Sequence, residues 1–165
     1  MAAVREWGPD TRRAGGRGVG GGLRTVIVLD TSGVLAAMDS DSRLHVAAKE
    51  VLAEAMVPLV VSPFVLAELD YLLTTRIGVY ATLDLLREIE RGAYRLEPFP
   101  VEDVGKARAR IEQYAGFGDI GLADASNIVL AERYDTLDIL TLDERHFRTL
   151  SGPGGRPFRL LPADF

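Results

Sequence analysis

Four short runs that are apolar almost throughout constrain this chain more than anything else in it: Thr25 to Leu29 (TVIVL), Leu59 to Val61, Leu137 to Leu142 (LDILTL) and Phe158 to Leu161 (FRLL). A strand with one wet face alternates apolar and polar residues. A strand that is apolar on both faces is covered on both, as in a parallel sheet flanked by helices. Helical spacing fills the intervals. Leu44 to Met56 places Leu44, Ala47, Ala48, Val51, Leu52 and Ala55 on one face, and further helices are predicted over 63–76, 79–91, 101–114 and 122–134, with a short strand at Tyr94 to Leu96. Strands alternating with helices of about 10–15 residues predict an α/β sandwich with a mainly parallel sheet and TVIVL as its central strand.

Local signals agree with these bounds. Ser62 can cap a helix that opens on Pro63, since proline at the first helical position loses no hydrogen bond. Gly78 and Gly92 end the next two helices. Glu102 and Asp103 precede Lys106, Arg108 and Arg110, the order that a helix dipole favours.

At 165 residues, with 47% hydrophobic and 26% charged residues, the chain suits a single folded core rather than a disordered or repetitive protein. The absence of cysteine excludes disulfides, thiolate metal sites and a cysteine nucleophile, so a metal must be bound by oxygen or by the two histidines. No apolar run approaches the roughly 20 residues of a membrane span. Residues 1–23 lack both a hydrophobic period and the apolar core of a signal peptide, and read as a flexible Gly/Arg-rich extension before one domain at 24–165. A cytoplasmic location is expected. A GxGxxG-like string at Gly16, Gly18 and Gly21 precedes the first strand, the wrong place for a phosphate-cradling loop. The net charge of −5, which becomes −7 without the four Arg and two acids of residues 1–22, argues against wrapping a nucleic acid by overall charge. Any such contact must use a local basic rim.

Ligands of open α/β sheets collect at the carboxyl ends of the strands. Asp30 follows TVIVL directly, and Asp143 follows LDILTL. Glu68 lies one turn into the helix after the second strand, and Asp124 opens the helix over 122–134. Each has a plain alternative as a helix cap, a first-turn acid or an arginine partner. Jointly they are harder to dismiss. Two carboxylates about 4 Å apart repel by about 4 kcal/mol at an effective dielectric of about 20, so converging acids require a cation or raised pKa values. Hard oxygen donors match Mg²⁺ or Mn²⁺.

The strings Val-Ile-Val-Leu-Asp30-Thr31-Ser32, Ser62-Pro63-Phe-Val-Leu-Ala-Glu68-Leu, Leu-Ala-Asp124-Ala and Leu-Thr-Leu-Asp143-Glu-Arg-His-Phe147, in that order, resemble PIN-domain ribonucleases, specifically the VapC toxins of VapBC toxin–antitoxin systems. The resemblance spans about residues 24–162. It implies a PIN-like three-layer α/β/α sandwich and a Mg²⁺-dependent endoribonuclease, with Mn²⁺ able to substitute. It further implies structured cellular RNA (tRNA or rRNA) as substrate, a VapB-type antitoxin as partner and a homodimer. Asp30, Glu68, Asp124 and Asp143 match the family's acidic metal and catalytic site, and Ser32 its hydroxyl beside the first Asp. The long N-terminal extension departs from the family.

The remaining polar residues divide less sharply. Arg24, Arg43, Arg76, Arg145 and Arg148 are candidates for the RNA-holding rim. Asp119 is expected to cap the following helix, and Asp70, about 200° round the helix from Glu68, to face solvent or an arginine. His45 and His146 are isolated, with His146 expected on a helix face rather than as a general base. Tyr71, Leu72, Leu73, Leu83 and Leu86 suit a core or dimer surface. A metal-dependent DNA nuclease and an inactive PIN-like binding module remain alternatives. A phosphoaspartate receiver is disfavoured, because position 32 is Ser where an Asp-x-Asp pair would need a second acid.

Overall fold

The computed structural model describes residues 26–116 and 118–165. The N-terminal extension, its glycine string and Arg24 lie outside the described residues. Five strands form one all-parallel sheet: β1 (Ile27–Leu29), β2 (Leu59–Val61), β3 (Tyr94–Leu96), β4 (Asp138–Leu140) and β5 (Arg159–Leu161), in the order β3-β2-β1-β4-β5. The central position expected for β1 is the one observed.

Alternation along these three-residue strands feeds two separate cores. Val28, Val60, Ile139 and Leu160 point to the face covered by helices α5 (Val101–Tyr114) and α6 (Leu122–Tyr134), where they meet Ala107, Ile128 and Phe147. Ile27, Leu29, Leu59, Val61, Leu140 and Leu161 point the other way, to Val34, Val51, Val65, Leu69, Leu73 and Leu85. Those residues belong to α1 (Thr31–Met38), α2 (His45–Glu54), α3 (Pro63–Arg76) and α4 (Val79–Glu90). The register lines up Val60, Val28, Ile139 and Leu160 across four strands. Each such side chain, taken fully out of water, contributes about 1.5–3 kcal/mol. The result is the α/β sandwich that the strand–helix alternation predicts, in the three-layer α/β/α form that the resemblance implies.

Helix ends follow local chemistry. The Ser62 hydroxyl accepts from the Val65 N–H at 3.1 Å, with Pro63 in the first turn of α3, as the sequence anticipates. The structure adds α1, a helix outside those the spacing predicts, with Asp30 as its cap. Its Gly33 explains how a helix fits so close to the sheet: a Cβ there would lie 2.6 Å from Leu140 Cγ. Asp143 caps the single turn α7 (Glu144–Phe147). Asp119 does not cap α6; it accepts from the Gly116 N–H at 3.1 Å, because Gly121 stands at the cap and Asp124 closes the turn.

The strand order reverses between β1 and β4, so the chain leaves these neighbours in opposite directions and opens a crevice beyond their carboxyl ends. Asp30 and Thr141 to Asp143 emerge there. No helix among the described residues is long and apolar enough to cross a membrane.

Candidate active site

Three of the four acids stand at helix N-termini on this edge, where partly positive backbone amides favour a carboxylate. Asp30 caps α1, Asp143 caps α7 by accepting from the His146 N–H at 3.1 Å, and Asp124 Oδ2 accepts from the Gly121 N–H at 3.0 Å in the first turn of α6. Capping and site formation do not compete here: Asp30 and Asp143 cap at the ends of neighbouring strands, and His146 stands 3.9 Å from both Asp143 and Asp124. Glu68 projects from the second turn of α3 and accepts from the Thr31 hydroxyl at 2.5 Å.

Asp30 is the buried member, 5% exposed. Its Oδ2 accepts from the Ser32 hydroxyl at 2.6 Å, the Thr141 hydroxyl at 2.8 Å and the Ser32 N–H at 3.3 Å. Its Oδ1 accepts from Asn127 Nδ2 at 3.1 Å. Burial raises the Asp30 pKa, the Ser32 and Thr141 donors oppose that rise, and the negative charge of Asp124 adds to it. Asp124 is also raised, first by burial; the Gly121 N–H and His146 pull it down, whereas Glu68 and Asp143 push it up. The four carboxylates thus form one electrostatic set, with Asp124 linking Asp30 to the two outer acids. His146 lies between two of them, 3.9 Å from Asp124 and 3.9 Å from Asp143, and its Nε2 is buried without a hydrogen-bond partner.

As the side chains stand, no group of three or more His, Asp or Glu among the described residues is drawn close enough to hold a metal ion. Each acid is held instead by hydroxyls or amides. The donor set nevertheless suits a hard divalent cation: oxygen donors only, two carboxyls whose pKa values are raised chiefly by burial and further by neighbouring negative charge, and a fully buried Asn127 that donates to Asp30 through Nδ2 and whose Oδ1 has no partner. The Ser32 hydroxyl, besides its bond to Asp30, accepts from the Leu142 N–H at 2.9 Å and so ties the start of α1 to the segment that follows β4.

The arginines expected at a rim are dispersed. Arg145 is exposed on α7 beside Asp143. Arg148 is tied to Glu144 at 3.0 Å and Asp164 at 2.8 Å. Arg43 is exposed beyond the far end of α1, and Arg76 ends α3, about 20 Å along the helix from Ser62 at 1.5 Å per residue. Asp70 is exposed, as expected. Thr31, Thr141 and Asn127 take part in the site without having been singled out from the sequence, although Thr31 and Thr141 lie inside the strings that carry the family resemblance.

Comparison with known proteins agrees with this architecture. The family model described as PIN domain matches residues 27–152. The chain belongs to the PIN domain family. It is also 44% identical over 136 residues to Ribonuclease VapC26 of Mycobacterium tuberculosis, covering 82% of this chain and all of that relative, which makes it a VapC homologue. Among solved structures, the sarcin–ricin loop cleaving toxin VapC20 of M. tuberculosis superposes with a TM-score of 0.66 at 20% identity, over 72% of this chain and 90% of that one. VapBC2 from Rickettsia felis, bound to a promoter DNA fragment, gives 0.60 at 17% identity over 82% and 98%. These two likenesses establish the fold.

Proposed function

We propose that this PIN-domain protein is a Mg²⁺- or Mn²⁺-dependent endoribonuclease, the toxin of a VapBC pair, acting on structured cellular RNA. The observation that carries the reading is the placement of the acids at the carboxyl ends of β1 and β4: Asp30 and Asp143 cap the helices that follow, Asn127 of α6 bonds Asp30 at 3.1 Å, Thr31 next to Asp30 bonds Glu68, and His146 stands 3.9 Å from both Asp124 and Asp143. The ribonuclease name of a 44%-identical relative supports the reaction class.

Asp30 and Asp124 would hold the cation, with Glu68 and Asp143 completing the site. Bound there, a divalent cation supplies positive charge at the scissile phosphate and lowers the pKa of water. The protein's own groups prepare the place. Ser32 and Thr141 fix Asp30 from one side, Thr31 steadies Glu68, and the Gly121 amide steadies Asp124. Because the domain is acidic, RNA must be gripped locally, and Arg145 is the candidate beside the acids. A VapB-type antitoxin is the proposed partner, the toxin being a homodimer.

The test is incubation of the purified protein with total RNA and with DNA, in Mg²⁺ and in EDTA, followed by mapping of new 5′ ends. RNA cleavage that needs Mg²⁺ and vanishes in Asp124→Asn is expected. Asparagine would still serve as a first-turn cap, so a purely structural Asp124 predicts full activity in that variant. Wild-type protein that never cuts RNA overturns the assignment.

A further inference from the structure

Helix α6 contains one residue that packing does not explain. Ala125, Ile128, Val129, Leu130 and Ala131 are buried, and so is Asn127, at 0% exposure. Asparagine is a weak helix former, and a buried amide oxygen without a partner is destabilising, so leucine would serve a purely structural position better. Asn127 Oδ1 is just such an orphan.

Its other atom accounts for its presence. Asn127 lies three residues after Asp124, so both project from one face of α6. Nδ2 donates to Asp30 Oδ1, whereas the Ser32 and Thr141 donors all converge on Oδ2. Among the described residues Asn127 is therefore the one donor to Oδ1. It fixes the rotation of the Asp30 carboxylate and leaves Oδ1 with further lone-pair capacity. An aspartate at 127 would add a fifth negative charge beside Asp30, and a lysine would neutralise the acid that must hold a cation. An amide supplies a donor and no charge.

We propose that Asn127 is a positioning residue that orients Asp30 for the divalent cation, an inference that rests on the metal-site reading above. The variant is Asn127→Leu, compared with wild type by calorimetric titration of Mn²⁺, by RNA cleavage and by thermal melting without cation. Loss of a partner that orients a ligand weakens metal binding or activity by about 10–100-fold. Mn²⁺ affinity and kcat should fall by at least about tenfold, with KM for RNA nearly unchanged and the metal-free protein still folded. A structural asparagine predicts unaltered Mn²⁺ affinity and kcat, and that result overturns the proposal while leaving the metal site standing. Wild type that binds no Mn²⁺ overturns both. Should Asn127→Leu fail to fold, the wild-type side-chain amide of Asn127 provides the readout by ¹⁵N NMR: its resonances should shift as Mg²⁺ saturates the site. Resonances that stay fixed through saturation overturn the proposal.

Discussion

Asp30 and Asp124 are held above the ordinary aspartate pKa, chiefly by burial, so the folded protein binds their protons more tightly than the unfolded chain. The sign follows from linkage: their stabilising contribution is complete below the unfolded value near 3.8 and is lost as pH rises through the folded values. Asp103 acts oppositely. The Lys106 hydrogen bond, with help from Arg133, lowers its pKa, so its contribution is present above 3.8 and disappears as pH falls through the folded value. The two effects occupy different windows. In EDTA, the melting-temperature difference between Asp124→Asn and wild type should therefore grow in favour of the variant as pH rises from 4 to 8. A difference that does not change with pH would show that the Asp124 carboxyl feels neither burial nor its neighbours. The acids themselves were legible because a charge immediately after an apolar strand, or in the first turns of a helix amid apolar residues, conflicts with core patterning. Their donors were not. Thr141 in LDILTL is as good a β-branched strand residue as any, and Asn127 becomes informative only when Asp30, 97 positions away, is seen beside it.

Most elements could be read from periodicity because nearly every strand is doubly covered and nearly every helix has punctuation at one end. Observed strands are shorter than the apolar runs: LDILTL yields Asp138–Leu140, and the Thr141 hydroxyl beyond it donates to Asp30 and accepts from the Asp143 N–H. The missed element is α1, only eight residues long with a glycine at its third position, which weakens helical pattern and propensity alike. That glycine is required by tertiary contact rather than by backbone conformation. In an open helix Gly→Ala gains about 1 kcal/mol. At position 33 the new methyl would strike Leu140, so Gly33→Ala should instead destabilise by about 1–3 kcal/mol, measured by urea unfolding, and lower activity by lifting Asp30 away from Thr141. A more stable, fully active Gly33→Ala protein would refute the close approach of α1 to β4. Ser62→Ala provides a contrast: loss of the α3 cap should cost about 1 kcal/mol and leave the acids in place.

For the molecule as a whole, charge and apolar surface pull against each other. The described domain is acidic, so two copies repel at a distance. Yet α3 and α4, packed together through Leu73, Leu85 and the Thr74–Thr82 hydroxyl pair at 3.0 Å, leave Tyr71, Ile77, Val79, Tyr80, Leu83 and Leu86 exposed. Single exposed apolar residues are ordinary, but six on one helical hairpin form the kind of patch that marks an interface. A two-fold contact between copies through this hairpin, as the proposed homodimer requires, would cover it on both molecules at once. Apolar burial would then drive association against charge repulsion, and salt that screens the repulsion should strengthen the dimer rather than weaken it. Light scattering at increasing NaCl should show a rising dimer fraction. Tyr80→Glu, at a side chain 78% exposed and therefore without consequence for the core, should shift the protein to monomer with its melting temperature in dilute solution unchanged. A wild-type protein that stays monomeric at every concentration and salt would remove the homodimer and leave this face for the antitoxin, which a VapB-type peptide titrated against Tyr80→Glu would then reveal as a loss of binding.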